Sequence, residues 1–274
     1  MDLFNFMYSM KNQRYLEDVM AKPKCKLCRF PRDLRYSHAI PNTYFKFIFR
    51  QGNGKGVLVN TEDGIPVISC DDSWASYQLC NDCEKKLNSK YEDYLHKVLT
   101  NKGQCTISKT DEGILFENLD TNRIKMCLLS ILWRCSESNV DEYKNIQLPD
   151  SLSEKIRVSL NSGIEFKDKH LYIDCRRMID ASGHIDNDKL RSVIIQPHHI
   201  TYDEGAKAWV IGFLGYYFEF FYNIKTTTPR VKSCFLGYNR NSFLFHYLDV
   251  MKIPEFIRMG VAAIDKCEKG QVKL

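Results

Sequence analysis

The stretches Cys25-Lys26-Leu27-Cys28 and Cys80-Asn81-Asp82-Cys83 bracket the segment Ser37-His38-Ala39-Ile40-Pro41. Two Cys-x-x-Cys pairs supply four thiolates, which form the ligand set of a closed tetrahedral zinc site. Such a site is structural, because no coordination position stays open for a substrate. The metal would fix the backbone that carries His38. The sequence therefore predicts structural zinc, with the ligands Cys25, Cys28, Cys80 and Cys83.

The composition is that of a soluble globular protein. The chain has 274 residues, of which 44% are hydrophobic and 27% charged, so neither disorder nor a fibrous structure is indicated. The most apolar run, residues 209–224, is too short to span a bilayer, and no membrane partner is predicted. The eleven cysteines are odd in number in a large chain, which argues against a secreted disulfide scaffold. We expect a cytoplasmic protein.

Basic residues are concentrated around the first cysteine pair. The net charge is +5, yet residues 22–55 hold nine Lys or Arg and only one acid, Asp33, with aromatic residues interleaved. This pattern is typical of nucleic-acid binding, although a solvated basic surface produces it as well. The residues expected to contact nucleic acid are Lys24, Lys26, Arg29, Arg32, Arg35, Lys46 and Arg50.

The fold class predicted is α+β, with an N-terminal unit over residues 1–100. A strand over residues 34–40 carries His38, and the second cysteine pair opens a helix over residues 81–99 with one apolar face. A knuckle, an extended segment and a second knuckle at a helix start are the plan of a treble-clef ββα zinc unit. Further elements of the unit are expected at residues 12–22 (helix), 42–49 (helix) and 57–69 (hairpin turning near residues 62–64).

Residues 101–274 are predicted to form an α+β domain of unknown role. It starts with a hairpin over residues 106–116, followed by a helical part (120–163) and a strand-rich part (168–274). The helices are expected at residues 122–135, 151–160 and 254–267. The strands are expected at residues 171–176, 192–201, 208–222, 231–237 and 242–248.

His38 is the candidate general base. An imidazole of this kind can take a proton from water while a Mg²⁺-class ion stabilises the charge on a phosphorane. Such an ion needs oxygen ligands, and Glu84 stands directly after the fourth cysteine, where it can face His38. Asn88 is a second candidate ligand one turn further on. An acid in the first helical turn also favours the helix dipole without any other role, and Asn88 and Glu92 fit a solvated helix face.

Together, Cys25-x2-Cys28, the segment 37–41 and Cys80-x2-Cys83-Glu84 resemble the zinc-containing HNH (His-Me finger) nucleases over roughly residues 20–100. They are more similar to a group of bacterial proteins with S-H-x-I-P and C-x2-C-E, which also carry a segment like residues 128–134. The resemblance implies a metal-dependent endonuclease with Mg²⁺ or Mn²⁺, and DNA rather than RNA as its substrate. A role in bacterial defence and a homodimer that cuts both strands would suit it.

The chain departs from the family pattern at three places. Ser37 stands where these nucleases have a metal-binding aspartate, and Glu84 stands where they have Asn or His. The Asn expected before the second knuckle is replaced by Ser73-Trp74-Ala75-Ser76-Tyr77. One carboxylate would hold Mg²⁺ loosely, although phosphate oxygens could complete its shell.

Two other interpretations stay open. The zinc unit could be a catalytically inactive module that binds nucleic acid or a protein partner, or His38 could be a structural histidine. Alternatively, the aromatic C-terminal sheet could be the functional part, sensing a ligand or partner, with the zinc unit as its effector. Two further motifs are given structural roles. Arg134 is expected to interact with a helix C-terminus, and the adjacent His198 and His199 point to opposite faces of a strand.

Overall fold

The computed structural model describes residues 22–60, 68–167, 171–202, 205–222, 235–237 and 240–268. It is a mixed α+β structure, as predicted. The expected helix at residues 12–22, the turn near residues 62–64 and most of the strand at residues 231–237 lie outside the described residues. None of the described helices is long and apolar enough to cross a membrane.

A two-stranded sheet carries His38. Strand β1 (Leu34–His38) pairs antiparallel with β4 (Ala75–Cys80), so that Leu34 lies opposite Cys80 and His38 opposite Ala75. The pairing has an irregularity after Arg35, where the register shifts by one residue. We call this pair the metal hairpin. The chain between its strands forms α1 (Asn42–Gln51), β2 (Gly56–Val59) and β3 (Ile68–Cys70).

The helix that follows the metal hairpin changes its winding part of the way along. Helix α2 (Asn81–Leu87) begins directly after β4 and continues through a π-helical segment (Asn88–Glu92) into α3 (Asp93–Leu99). Single π-helical turns inside α-helices are rare and frequently occur at functional sites. This turn contributes two buried side chains, Tyr91 and Glu92.

The second sheet has nine strands among the described residues, in the order β3-β2-β8-β9-β10-β7-β11-β6-β5. The predicted hairpin at residues 106–116 is present as an antiparallel pair, and β2 and β3 also pair antiparallel. Strand β2 pairs parallel with β8, so residues from both predicted domains share this sheet. The strands not yet delimited are β5 (Thr106–Lys109), β6 (Gly113–Glu117), β7 (Leu171–Ile179), β8 (Val193–Thr201), β9 (Lys207–Phe213), β10 (Tyr216–Tyr222) and β11 (Ser242–Asp249).

The strand predicted over residues 208–222 is wrong as a single element, because it is two strands. Phe213 pairs with Tyr216, and the two residues between them, Leu214 and Gly215, both have positive φ (57° and 80°). A two-residue hairpin turn of type I′ requires this conformation, and Asn or Asp is its usual signal at the first position. Leu214 is held there by the buried Arg177, whose Nη1 donates to the carbonyl oxygens of Leu214 (3.3 Å) and Gly215 (3.1 Å).

Helices cover both faces of the large sheet. Helix α4 (Thr121–Glu137) is buried along most of its length and packs on α5 (Asp150–Ser162), on α3 and on the π-helical segment. Its residues join those of α1, α2 and one sheet face in a single core. Residues of α6 (Pro254–Glu268) pack with the opposite face, including Val210 and Tyr217. Residues of α4 therefore share one core with residues of the metal hairpin and of the large sheet.

Candidate metal centre and the surface around His38

The four cysteines of the two Cys-x-x-Cys pairs come together. The sulfur atoms of Cys25, Cys28, Cys80 and Cys83 all lie within 4.8 Å of one another, and three of the four residues are buried. Hydrogen bonding from Cys83 lowers the pKa of the Cys25 thiol to about 4, which favours the thiolate, the form that binds a metal. Four converging sulfurs of this kind could bind a structural metal such as zinc.

Local backbone bonds shape the first cysteine pair. The Arg29 N–H donates to the Cys25 carbonyl (2.8 Å), with Arg29 in a left-handed conformation (φ 65°). The Cys80 N–H donates to the sulfur of Cys25 (3.3 Å), and the Lys26 N–H donates to the carbonyl of Gln78 (3.0 Å). The knuckle is therefore attached to β4 by its backbone as well as by the sulfurs.

His38 lies at the last position of β1, with its ring half-buried. Its Nε2 is 2.9 Å from the hydroxyl of Ser73. Burial lowers the pKa of the imidazole below its usual value, and the charge of Glu84 opposes that shift. A neutral imidazole at pH 7 is the form that can accept a proton. The ring is thus oriented by Ser73 and kept in its basic form.

Glu84 lies in the first turn of α2, close enough for its charge to act on both His38 and Arg134. One of its carboxylate oxygens, Oε2, is shielded from solvent and accepts no hydrogen bond from any described residue. A carboxylate oxygen in that condition normally has a donor or a cation. In the part of the chain that the structure describes, no second group of three His, Cys, Asp or Glu ligand atoms converges as the cysteines do.

Asn88 and Glu92 have different environments. Asn88 is exposed, as expected of a solvated helix face, and its side chain forms no hydrogen bond to a described residue. The same expectation is wrong for Glu92, which is only 5% exposed and whose Oε1 accepts from Nη2 of Arg134 at 2.5 Å. Burial raises the pKa of the Glu92 carboxyl, and the Arg134 charge opposes this.

Arg134 lies in the last turn of α4, as the sequence indicates, but its guanidinium also contacts residues outside that helix. Its side chain is 1% exposed, and its Nη1 donates to the carbonyl oxygen of His38 at 2.7 Å. One guanidinium therefore joins the π-helical segment, α4 and the end of β1. Hydrogen bonds from buried charged groups are shorter and stronger than neutral ones, so Arg134 fixes the backbone that carries His38.

Sequence reasoning did not identify two residues beside His38. Ser73 stands where the HNH nucleases have an asparagine, and its hydroxyl contacts the imidazole. Asp72 accepts a hydrogen bond from the Ser73 N–H (2.7 Å), and its charge reaches the His38 ring. The signal that could have found both is their position directly before the strand that pairs with β1.

The predicted nucleic-acid contacts fall into two groups. Lys26, Arg29 and Arg32 form ion pairs with Glu137, Glu154 and Asp82, at 3.9, 3.4 and 2.7 Å. The remaining four are exposed and have no acidic partner among the described residues: Lys24, Arg35, Lys46 and Arg50. Lys46 lies near enough to His38 for its charge to lower the pKa of the imidazole. The accessible positive charge is thus smaller than the sequence indicates, but part of it borders His38.

Ser37, which stands where the HNH nucleases have a metal-binding aspartate, is buried, and its hydroxyl donates to the carbonyl of Arg35 (3.2 Å).

The adjacent residues His198 and His199 differ in exposure, as their alternation in a strand predicts. His198 is buried against Glu255 (Nε2 to Oε1, 3.2 Å), whereas His199 is exposed. Neither histidine lies with the cysteine cluster.

Comparison of the chain with protein-family models, with curated proteins and with solved structures gave no match.

Proposed function

We propose that this chain is a metal-dependent phosphodiester hydrolase of the HNH type, in which a zinc-bound treble-clef ββα unit presents His38 as the general base. The observation that carries the proposal is the arrangement around His38. A half-exposed imidazole with a lowered pKa stands at the end of a strand held by four cysteines, near a carboxylate oxygen that lacks a partner. This combination fits proton abstraction from water beside a bound cation.

Each residue has a role in this proposal. When Ser73 accepts from Nε2–H, the unprotonated Nδ1 of His38 takes the proton of the attacking water. Glu84 and substrate phosphate oxygens would hold a Mg²⁺ or Mn²⁺ ion, which when bound would stabilise the negative charge that develops on the phosphorane. Arg134 positions the strand through the His38 carbonyl. The exposed cations near the site attract the phosphate backbone of nucleic acid, and the proposed substrate is DNA rather than RNA. The proposed location is the cytoplasm, and the proposed role is in bacterial defence.

The test is cleavage of DNA by purified, zinc-replete protein with Mg²⁺ or Mn²⁺. The His38→Ala variant is expected to lose cleavage by a factor of about 10²–10⁴, the typical contribution of a general base. His199→Ala is the matched control, since it removes an exposed histidine from the large sheet. Zinc content and thermal stability of both variants should equal those of the wild type.

A second function is favoured by one observation. Ser37 uses its hydroxyl on the Arg35 carbonyl and is buried, so it offers no ligand to a catalytic ion from β1. This supports a zinc module that binds nucleic acid or a protein partner without cleaving. Salt-sensitive binding with no cleavage by any divalent ion, in wild type and His38→Ala alike, would establish that function and overturn the hydrolase.

A further inference from the structure

Two tyrosines on the metal hairpin are exposed beside His38. Tyr36 and Tyr77 lie directly opposite each other on β1 and β4, with ring centroids 5.4 Å apart. Their exposed fractions are 61% and 67%. Alternate residues of a strand share a face, so Tyr36 and His38 are on the same face, and their ring centroids are 6.4 Å apart. We call Tyr36 and Tyr77 the tyrosine pair.

The local structure keeps the tyrosine pair outside the core. The register shift after Arg35 leaves Gln78 as the extra residue of β4, and Gln78 is buried, donating to Ser76 (2.8 Å) and to the Arg134 carbonyl (3.3 Å). Bulges of this kind redirect side chains and are common next to active sites. Here two large rings that could have been buried, as Trp74 and Phe45 are, point to solvent instead.

Exposed positive charge is present next to Tyr36 in the chain and near His38. Arg35 precedes Tyr36 and is exposed, and Lys46 lies close enough to affect His38 electrostatically. Neither cation has an acidic partner among the described residues, in contrast to Arg32, which is paired with Asp82. Aromatic faces next to unpaired cations complement a flexible polyanion that carries planar bases.

We propose that the tyrosine pair is a stacking platform for unpaired bases, and that the substrate of this site is single-stranded nucleic acid. The inference rests on the proposed function in placing the scissile phosphate at His38. A base stacked on Tyr36 leaves its neighbouring phosphate beside the imidazole, while Arg35 and Lys46 contact the backbone. Duplex bases are already stacked on each other in the helix and offer no free face, so the platform selects single strands.

Binding is measured without divalent ions, so that no cleavage interferes. The probes are a fluorescent 12-nucleotide single-stranded DNA, the RNA of the same sequence and the corresponding DNA duplex. We expect the wild type to bind the single strands more tightly than the duplex. Tyr36→Ala and Tyr77→Ala should each weaken single-strand binding about fivefold to hundredfold, which corresponds to the loss of one stacked base. Tyr36→Phe and Tyr77→Phe keep the ring and should bind as the wild type does.

A control separates stacking from charge and from folding. Ile164→Ala removes a side chain that is 67% exposed elsewhere on the surface and should leave binding unchanged. Arg35→Ala should reduce the dependence of binding on salt, whereas the tyrosine variants should preserve that dependence. The inference is overturned if duplex binds as tightly as single strand, if no probe binds, or if the alanine variants lower the melting temperature without changing affinity.

The same probes distinguish this inference from the hydrolase proposal. Preferential single-strand binding that depends on the tyrosine pair, with no cleavage when Mg²⁺ or Mn²⁺ is added, would overturn the hydrolase and leave the platform standing. Equal affinity for all three probes, with cleavage that requires His38, would overturn the platform and leave the hydrolase standing.

Discussion

The metal hairpin has two strands, whereas the large sheet has nine among the described residues, and the two differ in what their faces contact. The outer face of the hairpin presents Tyr36 and Tyr77 to solvent, and the hairpin lies beside the four-cysteine cluster and the buried ion pair of Arg134 with Glu92. The large sheet buries long apolar strands such as β9 and β10 between helices. A two-stranded sheet is marginally stable by itself. We therefore expect the hairpin to depend on these polar contacts and on a metal bound by the cysteines, and the large sheet to depend on apolar packing.

Removing a sulfur ligand should produce the largest difference in stability between the metal hairpin and the large sheet. Cys83→Ser leaves three thiolates, so we expect the loss of stoichiometric metal and of native structure in the hairpin, because structural metal binding is coupled to folding. Hydrogen exchange should then be fast at β1 and β4 and remain slow at β9 and β10. Chelation of the metal from the wild type should give the same pattern.

Cys105→Ser is the matched control, since Cys105 is a half-buried free cysteine outside the cluster. Unchanged metal content and exchange protection in Cys83→Ser would show that the hairpin does not depend on the metal. Equal loss of protection in both sheets would mean that the two regions unfold as one unit.

We expect Arg134→Met to cause a smaller loss of stability. The change leaves the Glu92 carboxylate buried without its cation and removes the donor to the His38 carbonyl. Breaking a buried ion pair by removing one partner costs about 3–5 kcal/mol of unfolding free energy, which urea denaturation can measure. Arg32→Met removes an exposed pair with Asp82 and should cost no more than about 1 kcal/mol.

The double variant Glu92→Leu/Arg134→Met sharpens this test. Replacing both charges with apolar groups should recover much of the lost stability, because no unpaired charge remains. Cleavage, if it depends on the positioned His38 backbone, should stay low in the double variant. A single variant as stable as the wild type would contradict the role given to Arg134.

The last prediction concerns the pH dependence of stability and belongs to the large sheet. Burial raises the pKa of Glu219 to about 7, and Arg176 offsets only part of this. The carboxyl has a pKa of about 4.3 in an unfolded chain, so the native state binds the proton more tightly. Its contribution to stability is therefore complete below the unfolded value and is lost as the pH rises from there to about 7.

Glu219→Gln should remove that pH dependence. The difference between the unfolding free energies of wild type and variant, followed from pH 4 to pH 8, should change across this window and level off above it. Glu112→Gln, at an exposed position of the turn before β6, is the control. A difference that is constant with pH would refute the shift.

The sequence predicted well those features that depend on local pattern. The four cysteines converge because their spacing encodes a knuckle, and α4 and α5 follow from apolar periodicity. The β9–β10 turn was missed because Leu214 carries no turn signal and is held by Arg177, a residue distant in sequence. The parallel pairing of β2 with β8 and the contact of Arg134 with Glu92 also join residues far apart, and no single-sequence pattern records such pairs.

Of the candidate site, the position of His38 on a strand and of Glu84 in the first turn of a helix could be predicted. The environment of His38 could not. Ser73, Asp72 and the buried Arg134 become its neighbours only when β4 and α4 pack against β1. The exposure of Tyr36 and Tyr77 was equally hidden, since it depends on a register shift that alternation alone does not reveal.

The insertion of α1, β2 and β3 between the strands of the metal hairpin has a consequence for synthesis. β1 cannot pair with β4 until residues 39–74 have been made, and β2 cannot complete its pairing until residues 193–195 of β8 have left the ribosome. The first cysteine pair therefore leaves the ribosome long before the second pair. The insertion between β1 and β4 gains its sheet partner, β8, later still. A nascent or truncated chain ending before β8 would carry every residue proposed for hydrolysis without the sheet partner of that insertion. The residues of the site are therefore synthesised before the strand that supports the insertion between β1 and β4.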